Sequence, residues 1–352
     1  SGENNQRNKE VVWDFWQKMN HVESDNVADV IRAAVHEDVN WNGSHPINQL
    51  LGADALITGF WEPLLQSFPD LRRDPYVFMG GLSGGDEWVS GTGHLTGTFV
   101  EDWLGIPATG EKTNIWFGQF YVMREGKIAE SYVQFDVLGV MRQAGFQVLP
   151  PSLGAEGGKV PGPRTQDGVL LTEQDELESR KTSQLVEAMG RGLGRYVWSR
   201  DGKNIRSMEQ EHYWHPRMRW YGPTGIGACF SLEEFDDYQL RPWMYGFGQW
   251  LDLGPGDGRT INVFAEGRYA ALGVWDVPFS RHPGEYIGIA PTERLLTIRD
   301  FDWYRRDGDY LVENWVPIDL IDLFLKMGID LFDRLHRQLQ QRKRGNHWYG
   351  PA

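Results

Sequence analysis

The sequence predicts an α+β protein made of two tandem copies of one domain, each a curved antiparallel sheet covered by about three helices. Two observations favour this fold class: the sequence resembles itself at a nearly constant shift, and helical patterns precede strand patterns in each copy. The chain length of 352 residues also exceeds what one hydrophobic core usually organises.

The duplication is visible in short matched segments. Residues 36–43 (HEDVNWNG) match residues 215–222 (HPRMRWYG), so that Trp41 corresponds to Trp220. Residues 105–109 (GIPAT) match residues 288–292 (GIAPT) 183 positions later. The same shift pairs Glu130 with Glu313, Asp136 with Asp319, and Gly145 with Gly328. The Gly/Pro-rich segment 151–168 separates the copies, which predicts a first domain at 1–150, a linker at 151–168 and a second domain at 169–352.

Each predicted element follows from the spacing of its apolar residues. An opening helix carries Val12, Phe15, Trp16 and Met19 on one face. The following elements of the first copy are predicted as a short helix ending near His36, a strand through Trp41, a helix at 53–68, and strands at 74–82, 86–100, 112–124 and 127–136. The second copy repeats this order, with its third helix at 232–247. Such a sheet with helices on its concave face encloses a cone, and the interior of the cone is a pocket.

The C-terminal stretch 320–345 predicts a long amphipathic helix. Its apolar side carries Leu320, Leu323, Phe324, Met327, Leu331, Phe332 and Leu335. A stripe of this kind is typical of packing between domains or between subunits.

Composition excludes several classes of function. The formal net charge of −14 and the scattered positive residues argue against nucleic-acid binding. No apolar run approaches the length that spans a bilayer, so no membrane partner is expected. The single cysteine, Cys229, rules out an internal disulfide framework and favours a cytoplasmic location. The 16 tryptophans indicate cavities lined by aromatic rings, so the expected partner is a small hydrophobic or aromatic ligand.

Several motifs of the first copy resemble the SnoaL-like polyketide cyclase family of the NTF2-like superfamily. They are FPDL (68–71), HLTGTF (94–99), GIPATGEK (105–112) and GKIAESYVQFDVLGVMRQAG (126–145). In the second copy, GDYLVENWVPIDLIDLFLKMG (308–328) is similar to the end of the family pattern, whereas HLTGTF has no recognisable counterpart. The resemblance implies two NTF2-like cone folds that pair within the chain as a family dimer does, with a homodimer of the whole chain as a further option.

The resemblance also implies a chemistry without metal or cofactor. In these cyclases an aspartate on the last strand is the general acid/base of an intramolecular aldol ring closure, and the matching positions here are Asp136 and Asp319. A second interpretation is that both are helix N-caps, because a helical pattern starts directly after each. Two functions therefore remain open: an acid/base enzyme that cyclises, isomerises or dehydrates a small hydrophobic carbonyl compound, and a non-catalytic binding or carrier protein.

Other polar residues are candidates for the same pockets. His45 and His94 are candidates for polarising a carbonyl or sharing a proton with Asp136, so both are predicted as catalytic. Gln119 has an amide that requires a hydrogen bond, either to a ligand or within a fixed network of side chains. Its counterpart in the second copy is Asp302, which would make the second pocket more acidic. Asp300 and Asp302 would then act together as acid and base or bind an amine against Trp303 and Trp275. The predicted substrate-binding residues are Trp41, Trp116, Gln119, Glu130, Tyr132, Trp220, Trp275, Asp302, Glu313 and Trp315.

Overall fold

The structure is a computed structural model that describes residues 2–249 and 253–344. It contains two six-stranded sheets, one from each half of the sequence, and the helices of each half follow the same order along the chain. The predicted α+β fold class, with two tandem cone-shaped units, is confirmed. None of the described helices is both long and apolar enough to cross a membrane.

The first half comprises five helices and six strands in the described part of the chain. In order they are α1 (Gly2–Met19), α2 (Val27–Ala34), β1 (Val35–Gly43), β2 (Gln49–Leu51), α3 (Ala53–Leu56), α4 (Glu62–Ser67), β3 (Arg72–Ser83), β4 (Asp86–Thr98), β5 (Lys112–Arg124), β6 (Lys127–Phe135) and α5 (Val137–Gln143). A π-helical turn (Ile57–Trp61) joins α3 to α4, so these form the single third helix that the sequence predicts.

The second half repeats this order, except that two short 3₁₀ helices replace the second helix and one helix is added at the end. Its elements are α6 (Glu176–Leu193), two short 3₁₀ helices (Lys203–Met208 and Gln210–His212), β7 (Trp214–Tyr221), β8 (Ala228–Cys229), α7 (Leu232–Glu234), a π-helical turn (Phe235–Leu240), α8 (Arg241–Phe247), β9 (Arg259–Glu266), β10 (Tyr269–Ser280), β11 (Leu296–Asp307), β12 (Tyr310–Trp315), α9 (Leu320–Lys326) and α10 (Leu331–Lys343). The predicted long C-terminal helix is therefore two helices, because the chain breaks at Gly328, whose φ of 94° is a left-handed conformation that glycine adopts readily.

The two sheets have equivalent topologies. The strand orders are β2-β1-β6-β5-β4-β3 and β8-β7-β12-β11-β10-β9. The sheets differ from the expected all-antiparallel arrangement in one pair each, because β1 is parallel to β6 and β7 is parallel to β12. A hairpin cannot produce a parallel pair, and here the helices and four strands between the paired strands form the long connection that it requires.

One face of each sheet is covered by helices and the other by the opposite sheet. On the helical side, Trp16 of α1 is 1% exposed and packs on Phe78 and Phe117. On the other side, the ring of Phe120 in the first sheet stacks on Trp303 of the second at a centroid distance of 5.2 Å. The Trp303 indole N–H donates to Ser90 Oγ across this contact at 2.9 Å. The sheet-to-sheet interface, defined by this aromatic contact, therefore makes the two halves an intrachain pair.

The linking segment and the last helix also join the two halves. Ala155 forms an isolated β-bridge with Ala228, so the segment predicted as a linker contacts the second half. Helix α10 returns to the first half, where Arg334 donates to the Val148 carbonyl at 2.9 Å and the Arg342 guanidinium lies 3.9 Å from the centre of the Phe146 ring. Phe332 of the apolar stripe also lies beside His45 of the first half, with ring centroids 6.2 Å apart, so the stripe contributes to packing between the halves, which is one of its two predicted roles.

Candidate functional site

A cavity of about 460 Å³ lies where the two halves and the linking segment meet. The first half contributes the ends of β4 and β5 and the start of α5, the linking segment contributes residues 155–161, and the second half contributes the loop after β7. The volume falls within the range of cavities that bind small molecules. Three residues predicted from the sequence line it together: His94, Trp116 and Asp136.

Asp136 is both the N-cap of α5 and part of the cavity wall. Its Oδ1 accepts a hydrogen bond from the Gly139 amide at 3.1 Å, which is the N-cap geometry that the sequence allowed. Its Oδ2 accepts from Thr224 Oγ1 at 2.8 Å and from the Thr224 amide at 3.2 Å, so its second set of partners comes from the opposite half. Burial raises the pKa of Asp136, and the hydrogen bonds from Thr224 and Gly139 oppose that rise.

His94 lies on the cavity side of β4 with an unsatisfied ring nitrogen. His94 is 2% exposed, and its Nδ1 has no hydrogen-bond partner among the described residues. The imidazole packs against the Tyr76 ring at 5.6 Å. Burial and, secondly, the charge of Lys159 lower the pKa of His94 to about 4, so the ring is neutral near pH 7. A neutral imidazole can donate one hydrogen bond and accept another.

The counterpart acid Asp319 has a different environment at the other end of the interface. Asp319 is 6% exposed and accepts from Arg299 Nη1 at 3.1 Å and from the His45 amide at 2.9 Å. Arg299 also binds Asp276 at 2.8 Å. Burial raises the pKa of Asp319, and the Arg299 charge opposes this. At the 183-residue shift Arg299 corresponds to Trp116, so the position beside the acid is a cation in one half and an indole in the other.

The two candidate histidines are therefore separated by the structure. His94 shares the cavity with Asp136, whereas His45 lies beside Asp319. The His45 ring is within 3.3 Å of Asn48 Nδ2 and its centroid is 6.2 Å from that of Phe332. Of the two histidines predicted to act with Asp136, only His94 lines the same cavity.

Gln119 lies on the opposite face of β5 from Trp116, inside the first half. Its Oε1 accepts from Arg73 Nη1 at 2.9 Å and from the Tyr121 hydroxyl at 2.6 Å, which is the fixed network that the sequence offered as one alternative. The Arg73 guanidinium lies between the rings of Trp16 and Phe117, at 4.6 and 4.5 Å from their centres. Burial lowers the pKa of Arg73 to about 10.

The interior of the second half contains a pair of acids. Asp300 and Asp302 are two positions apart on β11, so they lie on the same face of the strand, and both are partly exposed. Asp302 accepts from the Tyr304 hydroxyl at 3.1 Å and from Asn314 Nδ2 at 3.2 Å. Burial raises the pKa of Asp302 to about 6 and that of Asp300 well above its ordinary value, with the neighbouring charge of Asp302 adding to the second shift.

The expected binding of an amine between these acids and Trp303 or Trp275 is wrong. Successive residues of a strand point to opposite faces, and Trp303 points into the sheet-to-sheet interface, where it packs on Phe120. Trp275 lies in the same interface, with its ring 5.9 Å from that of Tyr132. The tryptophans and the acid pair are on different sides of the sheet.

The remaining predicted substrate-binding residues fall into two groups. Trp41 and Trp220 are buried on the helical side of their sheets, where they pack on Phe60 and Phe235 respectively. The others lie in or beside the sheet-to-sheet interface: Glu130, Tyr132, Glu313 and Trp315, in addition to Trp275 and Trp116.

The two predicted glutamates form ion pairs at this interface. Glu130 pairs with Arg124 at 3.1 Å and with Arg259 of the second half at 3.4 Å. Glu313 is fully buried, pairs with Arg305 at 2.7 Å and accepts from the Tyr221 hydroxyl at 3.1 Å. Both carboxylates therefore have positive partners, in contrast to Asp136, which has no ion pair among residues 2–249 and 253–344.

Sequence reasoning missed three residues that shape the cavity. Lys159 lies in the segment predicted as a linker, and Tyr221 and Thr224 belong to the second half. No local pattern connects Thr224 to Asp136, which is 88 residues away. The sequence does show that Trp116 of the first copy is replaced by Arg299 in the second, because the duplication aligns these two positions. This difference was the one indication in the sequence that the two sites are not alike.

Several solved structures are similar to part of the chain. A SnoaL-like polyketide cyclase from Jannaschia sp. CCS1, described as putative in its title, is 22% identical, with 42% of this chain and 95% of that chain covered and a TM-score of 0.36. IdmH from Streptomyces antibioticus, also titled a putative polyketide cyclase, is 16% identical over 40% of this chain and 99% of that chain, with a TM-score of 0.33. AclR from Streptomyces galilaeus, titled a putative hydroxylase, is 17% identical over 41% of this chain and 84% of that chain, with a TM-score of 0.34.

The comparison with family models concerns the first half. No match was found among curated proteins. The second sheet repeats the strand order of the first, in keeping with the duplication, but the family model matches a single segment. That segment is residues 12–144, and it matches the SnoaL-like polyketide cyclase model, so the first half is similar to this family.

Proposed function

We propose that the chain is a cofactor-independent acid/base enzyme that acts on a small, largely apolar carbonyl compound in the cavity between its halves. The observation that carries this proposal is that Asp136, His94 and Trp116 line one cavity, and that Asp136 has no ion pair among the described residues. A carboxylate that is partly desolvated and lacks a fixed cation is a stronger base than an exposed one.

Trp116 supplies the apolar wall of this site. Its indole N–H already donates to Thr92 Oγ1 at 2.8 Å, so the ring is held in place. A flat carbonyl compound would stack on this ring and on nearby Tyr221, whose hydroxyl is bound to Glu313. Both rings have fixed orientations, which favours one pose of the substrate.

In the proposed reaction Asp136 takes a proton from the carbon next to a carbonyl, and the C–H electron pair forms an enolate. The enolate carbon attacks a second carbonyl carbon of the same molecule, so a C–C bond forms and the second C=O π bond breaks. The new alkoxide oxygen takes the proton back from Asp136, and the carboxylate is restored. No atom is gained or lost, and isomerisation differs only in the atom that receives the proton.

His94 is assigned the stabilisation of the enolate oxygen. Because burial keeps its pKa low, the ring is neutral and can donate a hydrogen bond from one nitrogen. In the same proposal Asp319 and His45 have structural roles, since Arg299 neutralises Asp319 and only the His45 backbone amide reaches it.

Proton abstraction is testable without the natural substrate. Purified protein is incubated with 2-tetralone, a bicyclic ketone, in D₂O, and deuterium incorporation next to the carbonyl is followed by NMR. We expect Asp136→Asn to lower the protein-catalysed exchange by about 10²-fold or more, the range of general-base contributions. Exchange by the wild type is expected to rise with pH as Asp136 ionises through its raised pKa.

Asp302→Asn is the matched control, because it removes another carboxylate of raised pKa from a different part of the chain. It is expected to leave the exchange rate unchanged. Equal exchange by wild type and Asp136→Asn would remove Asp136 from the mechanism. Tight binding of the ketone by the wild type without any exchange would instead favour the binding or carrier function.

A further inference from the structure

The linking segment forms one wall of the cavity with an unusual stretch of backbone, residues 157–159 (Gly-Gly-Lys). A Cβ atom built on Gly157 or on Gly158 would meet no heavy atom within 4 Å, so open space lies beside both residues. No described residue accepts a hydrogen bond from the backbone amides of residues 157–159. Three N–H groups at the edge of the cavity therefore remain available as donors.

Lys159 adds a positive charge to the same stretch. Its side chain lines the cavity and has neither an ion pair nor a hydrogen bond with any described residue. The ammonium group lies close enough to lower the pKa of His94, which faces the same cavity. Lys159 and His94 thus line the same cavity.

The other charged groups of the cavity already have partners. Arg142 pairs with Glu156 at 2.8 Å, and Glu156 also accepts from the Gly225 amide. Asp136 accepts three hydrogen bonds from Gly139 and Thr224. Lys159 is therefore the one cation of the described cavity wall whose charge is not balanced by a neighbour.

We propose that residues 157–159 bind an anionic oxygen group of the substrate, through the Lys159 ammonium and the adjacent backbone amides. The substrate class is then an aromatic or alicyclic carbonyl compound that carries a carboxylate. This inference rests on the proposed function for the identity of the site. The anion lies beside His94, and the apolar body extends along Trp116 towards Asp136. The overall charge of −14 repels anions in general, so binding of one requires a local site.

Binding by calorimetry tests the inference independently of turnover. The probes are 2-naphthoate, its neutral isostere 2-naphthamide, and 2-naphthyl phosphate, which separates a carboxylate site from a phosphate site. We expect the wild type to bind 2-naphthoate at least about tenfold more tightly than the amide. Lys159→Met is expected to abolish this preference, and Lys159→Arg to retain most of it. Lys127→Met, which removes an equal charge outside the cavity, is the control and is expected to leave the affinity unchanged.

The outcomes separate this inference from the proposed function. Equal affinity for 2-naphthoate and 2-naphthamide, or an unchanged preference in Lys159→Met, would overturn the anion site. A strong preference for 2-naphthyl phosphate over 2-naphthoate would overturn the assignment of a carboxylate. Loss of 2-naphthoate binding in Lys159→Met, combined with unaltered ketone exchange in Asp136→Asn, would support the anion site and refute the catalytic role of Asp136.

Discussion

Replacing Asp302 by asparagine is expected to stabilise the protein at high pH. The carboxylate lies in the second half, where it accepts from Tyr304 and Asn314. The amide oxygen of asparagine has nearly the same position and accepts the same two hydrogen bonds. The substitution therefore removes a charge while it keeps the local contacts.

The magnitude follows from the pKa of this group. Burial raises the pKa of Asp302 from 3.8 to about 6, so the folded state binds the proton more tightly than the unfolded state. The stability that the fold gains from protonated Asp302 is complete below 3.8, the pKa of this group in the unfolded state. This stability is lost as the pH rises through about 6, the pKa in the folded state. At pH 8 the ionised group therefore costs the fold about 3 kcal/mol, since one pKa unit corresponds to about 1.4 kcal/mol.

The assay is thermal unfolding of the wild type and Asp302→Asn at pH 5 and pH 8. For a chain of this size about 3 kcal/mol corresponds to roughly 6–12 °C in Tm at pH 8, and a smaller difference is expected at pH 5. Asp38→Asn removes an exposed carboxylate of β1 and serves as the control, with a similar Tm at both pH values. A lower Tm for Asp302→Asn at pH 8, or an equal shift at both pH values, would refute the reasoning.

Two further predictions concern the contact between the halves. Lys9 and Glu266 form a buried ion pair across it at 3.0 Å, so Glu266→Gln leaves the buried ammonium without an opposite charge. The free energy of unfolding, measured in urea, should fall by about 3–5 kcal/mol, and a loss below about 1 kcal/mol would contradict this. A Cβ on Gly118 would lie 2.6 Å from the Trp303 ring, so Gly118→Ala should cost about 1–3 kcal/mol in the same assay, whereas Gly190→Ala, in open space on α6, should not destabilise the protein.

The order and type of the elements were predictable because they depend on local periodicity. The spacing of Phe15, Trp16 and Met19 fixes the buried face of α1, and the aspartates before α5 and α9 are favoured N-cap residues. The repeat then transfers each assignment from one half to the other. These features need no knowledge of distant contacts.

The direction of the aromatic side chains was not predictable from the same patterns. Both faces of β5 are apolar, because helices cover one face and the second sheet covers the other. Alternation separates Trp116 from Gln119 but does not say which of them faces a cavity. Partners such as Thr224 for Asp136 come from the opposite half, and only the packing of the two halves places them together.

The comparison of Asp136 with Asp319 shows what fusion of two copies permits. In a symmetric dimer the two ends of the interface are identical, so a residue that strengthens one end also changes the other. Within one chain each end can differ: Arg299 fills the end at Asp319 with ion pairs, while Trp116 takes the matching position at Asp136. The linking segment adds a further asymmetry, because its residues 155–161 line the cavity at Asp136. One end of the interface is therefore held by hydrogen bonds that Arg299 and Asp319 make to the first half, and the other leaves a carboxylate beside a cavity of molecular size.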